Sequence, residues 1–323
     1  MTHYPYIVVG AGTSGSIVAR RLADAGKRVL IIGANSGIGY QSALMLAQCG
    51  ATVWLGCRSA ERAEAAVQRL ASRVGSRDSL LVLPMDLASL DSVRQAADSY
   101  LESEQSLDLL INNAGVMGLP LQRTAAGHEM LFAVNHLAHF LLTGALLPAL
   151  QAAPAARVVT VSSLAAKRGT LNFNDLNWER EPYSKVAAYG RAKLANLCFA
   201  TELQRRLAAA GSPVISLAAH PGYASTNVAF ADSGQASVSR RLWRHIARLG
   251  NLLLAQSAEQ GALPSVYAAT VDTLRGGEYI GPAGPFQFRG SPKQLAVLKA
   301  ATDRAVGGQL WEQSEQLTGM RYL

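Results

Sequence analysis

The feature that most constrains this chain is an alternation of two kinds of segment. Short runs dense in Val, Ile and Leu ("YIVVG", "RVLII", "ATVWLG", "SLLVLPMD", "LDLLINNAG", "ARVVTVSS" and "SPVISLAAHPG") alternate with amphipathic stretches such as "SAERAEAAVQRLASRV" and "SLDSVRQAADSYLESE". Runs that are apolar at nearly every position suit strands buried on both faces. The stretches between them are long enough to cross back over a sheet. The pattern predicts a doubly wound parallel α/β sheet of Rossmann type. With 323 residues, 49% of them hydrophobic, there is material for one large core. From residue 28 onward no long linker interrupts the alternation, so residues 28–323 read as a single domain.

The first fifty-odd residues hold a near-repeat. "IVVGAGTSGSIVARRLADAGKRV" and "LIIGANSGIGYQSALMLAQCGATV" both run strand, glycine turn, helix, glycine, as if two first units of such a sheet stood in tandem. The first turn, Gly10 to Gly15, spells GxGxxG. That motif needs an acid at the end of the next strand to hold ribose hydroxyls, and "RVLII" ends at Gly33 without one. Residues 1–32 resemble the N-terminal FAD-binding unit of glucose–methanol–choline oxidoreductases, and nothing later in the chain extends that likeness. The second turn runs through Gly33, Asn35, Ser36, Gly37, Ile38 and Gly39 with GxxxGxG spacing. Its glycines allow a tight turn and bring amide N–H groups close to a pyrophosphate at a helix N-terminus.

The second turn has matching partners downstream. "INNAG" ends a strand in small and amide residues, Asn113, Ala114 and Gly115, as expected where a chain skirts an adenosine. "VSS" ends another strand, and "HPGYAST" follows a late one. Between them stands Tyr189-Gly190-Arg191-Ala192-Lys193. Of the ten tyrosines only Tyr189 has Lys four residues on, which puts the pair on one helix face. A free phenol, with pKa about 10, is a poor acid/base near neutrality, and a neighbouring ammonium favours its phenolate. Tyr189 is therefore the candidate proton donor and Lys193 its electrostatic partner. Ser163, the second serine of "VSS", is either a strand-end cap or a donor to a substrate oxygen.

In this order these elements resemble the short-chain dehydrogenase/reductase family over about residues 28–323. "LNFNDLNWE", "YGRAKLANLCFATELQRRL" and "AAHPGYAST" point to its retinol-dehydrogenase-like and protochlorophyllide-reductase-like branch. The resemblance implies a catalytic set of Ser163, Tyr189, Lys193 and Asn135, with Asn135 orienting a water and Lys193, and Lys193 also holding the nicotinamide ribose. It assigns Asp86 and Leu87 to the adenine side, and Pro221, Gly222 and Thr226 to the cofactor. It makes residues 226–260 a cover over the substrate pocket and the protein a homodimer or homotetramer. One position departs from the family: Ile32 stands where Thr usually precedes the first loop glycine.

Cofactor choice rests on Arg58. Dinucleotide folds place an acid here for a free ribose hydroxyl or an Arg for a 2′-phosphate, and Cys57-Arg58 offers no acid. NADP(H) is expected, against the alternative of a solvated arginine. Asp86 has a second possible role as N-cap of the following helix.

Composition removes other classes. The net charge of +8 comes from dispersed arginines without a basic block, so no nucleic-acid partner is expected. Three isolated cysteines without CxxC suit a reducing cytoplasm and no zinc site. His136 and His139 lack further ligands, so no metal is expected. No GxSxG elbow suggests a serine hydrolase. "MLFAVNHLAHFLLTGALLPAL" is interrupted by Asn135, His136 and His139 and reads as a buried helix, with no integral membrane segment expected. "SRRLWRHIARLGNLLLAQ" is basic on one side and apolar on the other, a pocket cover or a membrane-surface helix. The chain therefore reads as a cytoplasmic NADP(H)-dependent oxidoreductase of a hydrophobic alcohol or carbonyl compound. Its rivals are a flavin enzyme using the first loop and an inactive NADP-binding protein. Residues 1–27 are expected outside the main sheet, because "ATVWLG" and "LDLLINNAG" should occupy both edges of "RVLII".

Overall fold

The computed structural model describes residues 26–223 and 256–323. Within them β1 (Arg28–Ile32) is central. It pairs in parallel with β2 (Thr52–Cys57) on one edge and β4 (Leu109–Asn112) on the other. The sheet order is β3-β2-β1-β4-β5-β6-β7-β8, with β3 at Leu80–Pro84, β5 at Arg157–Val161, β6 at Ile215–Ala219, β7 at Tyr279–Pro282 and β8 at Pro292–Leu295. Both edges of β1 are thus taken, as the sequence pattern requires. The run "YIVVG" lies outside the described residues.

The sheet is parallel from β3 to β7, and β8 returns antiparallel on β7. These last two strands are invisible to hydrophobic pattern because "YIGP" and "PKQL" are four residues each and contain proline. Their prolines sit at the strand ends, Pro282 opposite Pro292, where a missing N–H does least damage.

Alternation along β1 divides the core into two layers. Val29 and Ile31 face α1 (Gly37–Gln48), α2 (Ala60–Val74) and α7 (Ala258–Thr270). Leu30 and Ile32 face α3 (Leu90–Ser103), α4 (Ala138–Ala145), α5 (Leu147–Ala152), α6 (Lys185–Ala209) and α8 (Arg304–Thr318). The expected single helix over residues 130–150 is buried but interrupted. A short helical run, Met130–Phe132, passes through a π-turn at Ala133–Leu137 into α4, and Leu146 separates α4 from α5. The π-turn contains Asn135.

Serines start most of the helices that flank the site. Ser59, Ser89, Ser184 and Ser257 accept N–H groups of Arg62, Ser92, Ala187 and Gln260 at 3.2–3.4 Å. Ser36, at the start of α1, makes no such bond.

Candidate active site

The carboxyl ends of β1 and β4 are where the sheet order reverses, the crevice in which open α/β sheets bind ligands. The loop after β1 is built for close approach. Gly33 (φ 77°) and Gly37 (φ 57°) are left-handed. A Cβ on Gly39 would lie 2.6 Å from Asn113 Nδ2 and against the Gly33 carbonyl. With Ser36 not capping, the first N–H groups of α1 lack a side-chain partner there, which suits a phosphate.

The loop is held from both sides despite Ile32. Gly33 N donates to Gly56 O at 2.8 Å, and Asn113 Nδ2 donates to Ile32 O at 2.9 Å. The Ile32 side chain is buried above Gly56, where an added Cβ would meet its Cδ1 at 2.9 Å. Backbone bonds and packing thus anchor the loop where the family's threonine would stand. Burial pushes the Cys57 thiol up to about 11, so it is inert padding against Ala34 and Asn35.

Around this cradle Arg58 is exposed just beyond β2. Arg69 is a second cation that the sequence did not single out. It donates Nη2 to Asn35 O at 3.1 Å, with its guanidinium 5.1 Å from the Tyr40 ring centre. Only the packing of α2 on α1 brings it there. Asp86 does not cap α3, whose N-cap is Ser89. Its Oδ1 accepts Ala88 N and its own N–H donates to Ser92 Oγ, both at 3.0 Å, in a turn beside buried Leu87.

On the β4 side the chain runs through Asn113 and Ala114 to Gly115. A Cβ there would sit 2.8 Å from Asn135 Oδ1 and 3.3 Å from Lys193 Nζ. Asn135 is fully buried and uses both side-chain atoms on one residue: Oδ1 accepts Val116 N at 2.8 Å and Nδ2 donates to Val116 O at 3.0 Å. Its side chain clasps the loop, and its relation to Lys193 runs across Gly115. Its carbonyl accepts His139 Nδ1–H at 2.9 Å. Burial pushes both His136 and His139 down to about 3, so each ring is neutral.

Ser163, Tyr189 and Lys193 come together at the end of β5. Ser163 is the N-cap of a 3-10 turn, Leu164–Arg168, accepting Ala165 N at 3.2 Å, and it also hydrogen-bonds the Tyr189 phenol. Burial pushes the phenol up and that bond pulls it back. Lys193 is 3% exposed, its Nζ 5.9 Å from the Tyr189 ring centre and donating to Val161 O at 3.0 Å. Burial pushes its ammonium down to about 8.

The mouth joins the expected Pro221–Gly222 turn to segments the sequence left unread. Gly222 (φ 71°) follows Pro221, whose carbonyl accepts Gln256 Nε2, and a Cβ on Gly222 would collide with Phe288 O. Tyr223 N donates to that carbonyl at 2.8 Å, and Lys167 reaches Gln287 Oε1 at 2.8 Å. Thr226 and most of the expected cover, residues 226–260, lie outside the described residues.

The short-chain dehydrogenase family model matches residues 27–235. Human retinol dehydrogenase 13 is 40% identical over 304 residues, covering 91% of this chain and 85% of its own length, and mouse retinol dehydrogenase 14 is 40% identical over 306 residues, covering 91% and 86%. The chain belongs to the short-chain dehydrogenase family. Its sequence lies in the retinol-dehydrogenase-like branch, and with the family comes the class of enzyme, a dehydrogenase/reductase of alcohol and carbonyl groups. An uncharacterized protein from Mycobacterium paratuberculosis has a crystal structure 40% identical to this chain, with TM-score 0.77 over 95% of this chain and 98% of that one. The Pseudomonas aeruginosa RhlG/NADP active-site complex is 25% identical, with TM-score 0.62 over 82% and 98%. Among the described residues no helix is long and apolar enough to cross a membrane.

Proposed function

We propose that this short-chain dehydrogenase uses NADP(H) to interconvert a hydrophobic alcohol and its carbonyl compound. The observation that carries the reading is the meeting of Ser163, Tyr189 and Lys193 at one strand end, beside the Gly33–Gly39 cradle and the Asn113–Gly115 wall. A bound nicotinamide supplies or accepts the hydride. Gly33, Asn35, Ser36, Gly37, Ile38 and Gly39 cradle the pyrophosphate, Asp86 and Leu87 flank the adenine, and Lys193 holds the nicotinamide ribose. Pro221, Gly222 and Thr226 close the nicotinamide side.

The proton steps belong to the chain itself. In the reducing direction Tyr189 gives its phenolic proton to the nascent alkoxide oxygen. Ser163 donates a hydrogen bond to that same oxygen. The phenolate left behind is stabilised by the nearby Lys193 ammonium. Asn135 keeps the Gly115 loop against Lys193.

Arg58, exposed past β2, pairs with the 2′-phosphate, and Arg69 adds positive charge at Asn35. The NADP complex of the Pseudomonas relative supports this choice. The retinol dehydrogenases support an apolar alcohol. The aromatic residues Tyr223, Phe286 and Phe288 at the mouth, with the Phe288 ring centroid 5.8 Å from each of the other two, support it further. Free cysteines suit a cytoplasmic protein, and the homodimer or homotetramer expected from the family resemblance is checked by sedimentation.

The test is oxidation of NADPH by purified protein against apolar aldehydes, ketones and quinones. Turnover of an apolar carbonyl is expected. Flavin absorbance without nicotinamide turnover would return the first glycine loop to function. NADPH binding without turnover of any carbonyl would mark an inactive binder.

A further inference from the structure

The first residue past β6, His220, sets its ring against a gap in β7. His220 N donates to Ile280 O at 2.9 Å, which brings the side chain beside Gly281. A Cβ on Gly281 would collide with His220 Nε2 and lie 2.6 Å from Leu295 Cδ1, so glycine at this point makes room for the ring. The imidazole is fully buried there, its centroid 5.3 Å from that of Tyr279. Burial, assisted by the Lys167 charge, pushes it down to about 4, so the ring is neutral near pH 7.

The two ring nitrogens fare differently. Nδ1 lies 3.1 Å from Gly222 N. A backbone N–H can only donate, so Nδ1 is the acceptor and the ring's one proton is on Nε2. That Nε2–H has no acceptor among the described residues. A buried donor left unpaired costs free energy. A hydrocarbon side chain would fill the space without that cost, so packing does not account for a histidine here. The bond to Gly222 does.

Gly222 N and Pro221 O are the two ends of one peptide unit. Gln256 Nε2 donates to the oxygen, and His220 Nδ1 accepts from the nitrogen, so side chains from two segments pin the same plane at both ends. The neighbouring units are held by backbone: Tyr223 N donates to Phe288 O at 2.8 Å and Tyr223 O accepts Gln256 N at 2.9 Å. Such a plane needs holding. Gly222, at φ 71°, is free to turn, and a proline–glycine peptide can rotate as a unit between turn types at little steric cost.

We propose that His220 is a positioning residue that, with Gln256, locks the Pro221–Gly222 peptide plane and through it the nicotinamide side of the cofactor site. The inference rests on the proposed place of Pro221 and Gly222 beside the nicotinamide. It predicts that what matters at residue 220 is an acceptor for the N–H two residues on. Asn can supply one from its side-chain oxygen, and Leu cannot.

Pro221–Gly222 is the one Pro-Gly step in the sequence, so isotope labelling of proline carbonyls and glycine nitrogens gives the Gly222 amide its own NMR signal. Its hydrogen exchange is measured in wild type, His220→Leu and His220→Asn. Kd is measured in each for NADPH and for 2′,5′-ADP, which lacks the nicotinamide half. The wild-type amide should be protected. His220→Leu should speed its exchange about tenfold and weaken NADPH about three- to tenfold, with 2′,5′-ADP unchanged. His220→Asn should stay near wild type in all three. An unprotected Gly222 amide in wild type overturns the inference whether or not His220→Leu folds. It is equally overturned if His220→Leu keeps wild-type exchange or NADPH affinity, if both ligands weaken alike, or if His220→Asn is as impaired as His220→Leu. If NADPH binds wild type without moving the Gly222 signal, the reading of the site fails and the inference with it.

Discussion

The two sides of the crevice are made of different material. At the ends of β1 and β2 the cradle is backbone: left-handed glycines, an uncapped helix start and, at its border, the exposed cation Arg58. At the ends of β4 and β5 the site is buried polar side chains. Asn135, His136, His139, Lys193 and Asn196 are each at most 3% exposed, and most of their polar atoms are bonded. A backbone site is broken by adding atoms where none fit. A buried polar site is broken by removing one atom and stranding its partner. The two halves therefore fail to different substitutions, which gives four ways to probe the contrast.

The largest effect should follow the loss of one oxygen. Tyr189→Phe should cut turnover by about two to four orders of magnitude while leaving NADPH affinity and Tm near wild type. Near-normal turnover would remove Tyr189 from the chemistry. On the cradle side the break comes from addition. Gly37→Asp puts a side chain at φ 57° and a carboxylate where phosphate should sit, so fluorescence titration should detect no NADPH binding. Gly12→Asp, in the first glycine turn, should leave affinity nearly unchanged. If Gly12→Asp proves the damaging change, the working cradle is the first loop.

Arg58→Ala probes the cation at the edge of the cradle. It should weaken NADPH about ten- to a hundredfold, with little change for NADH, since a charge-assisted bond is lost from only one of them. Equal losses for both would leave Arg58 a solvated surface residue.

The smallest effect is one of stability. Burial holds the Lys193 ammonium down at about 8 from an ordinary 10.5, so folding favours its neutral form. The cost of the buried charge is fully present below pH 8, and it is relieved as pH rises through 8 toward 10.5. Lys193→Met should therefore be more stable than wild type by about 1–2 kcal/mol at pH 7, after allowance for the lost bond to Val161 O. Denaturant titrations should show that advantage shrinking across this window. A constant difference would mean that the lysine pays no burial cost.

Much of the site was legible in sequence, and where legibility ended is instructive. Tyr189 and Lys193 share a helix face by spacing alone, and the glycine loop carries its backbone requirement in its letters. Asp86 and Ser89 illustrate the boundary. Both are capping residue types three positions apart, and only the point where the chain leaves β3 makes Ser89 the cap. Asn135 was visible as a polar interruption in an apolar helix, but the π-turn and the clasp on Val116 were not. Arg69 meets Asn35 from 34 residues away, and Ser314 meets His136 from 178 away. No local pattern encodes such pairs.

Sequence by itself determined the alternating strand–helix order, the central place of "RVLII" between its two neighbours, the second glycine turn and the Tyr–Lys pair. These follow from periodicity, side-chain spacing and the φ values open to glycine, all properties of a few consecutive residues. Tertiary structure alone decided the short edge pair β7–β8, the anchoring of Ile32 over Gly56, the depth at which Lys193 is buried and the sharing of the Val161 carbonyl by Lys193 and Asn196. A pKa, a desolvation cost or a satisfied lone pair depends on what several distant segments present to one point in space, and that exists only once the layers have packed.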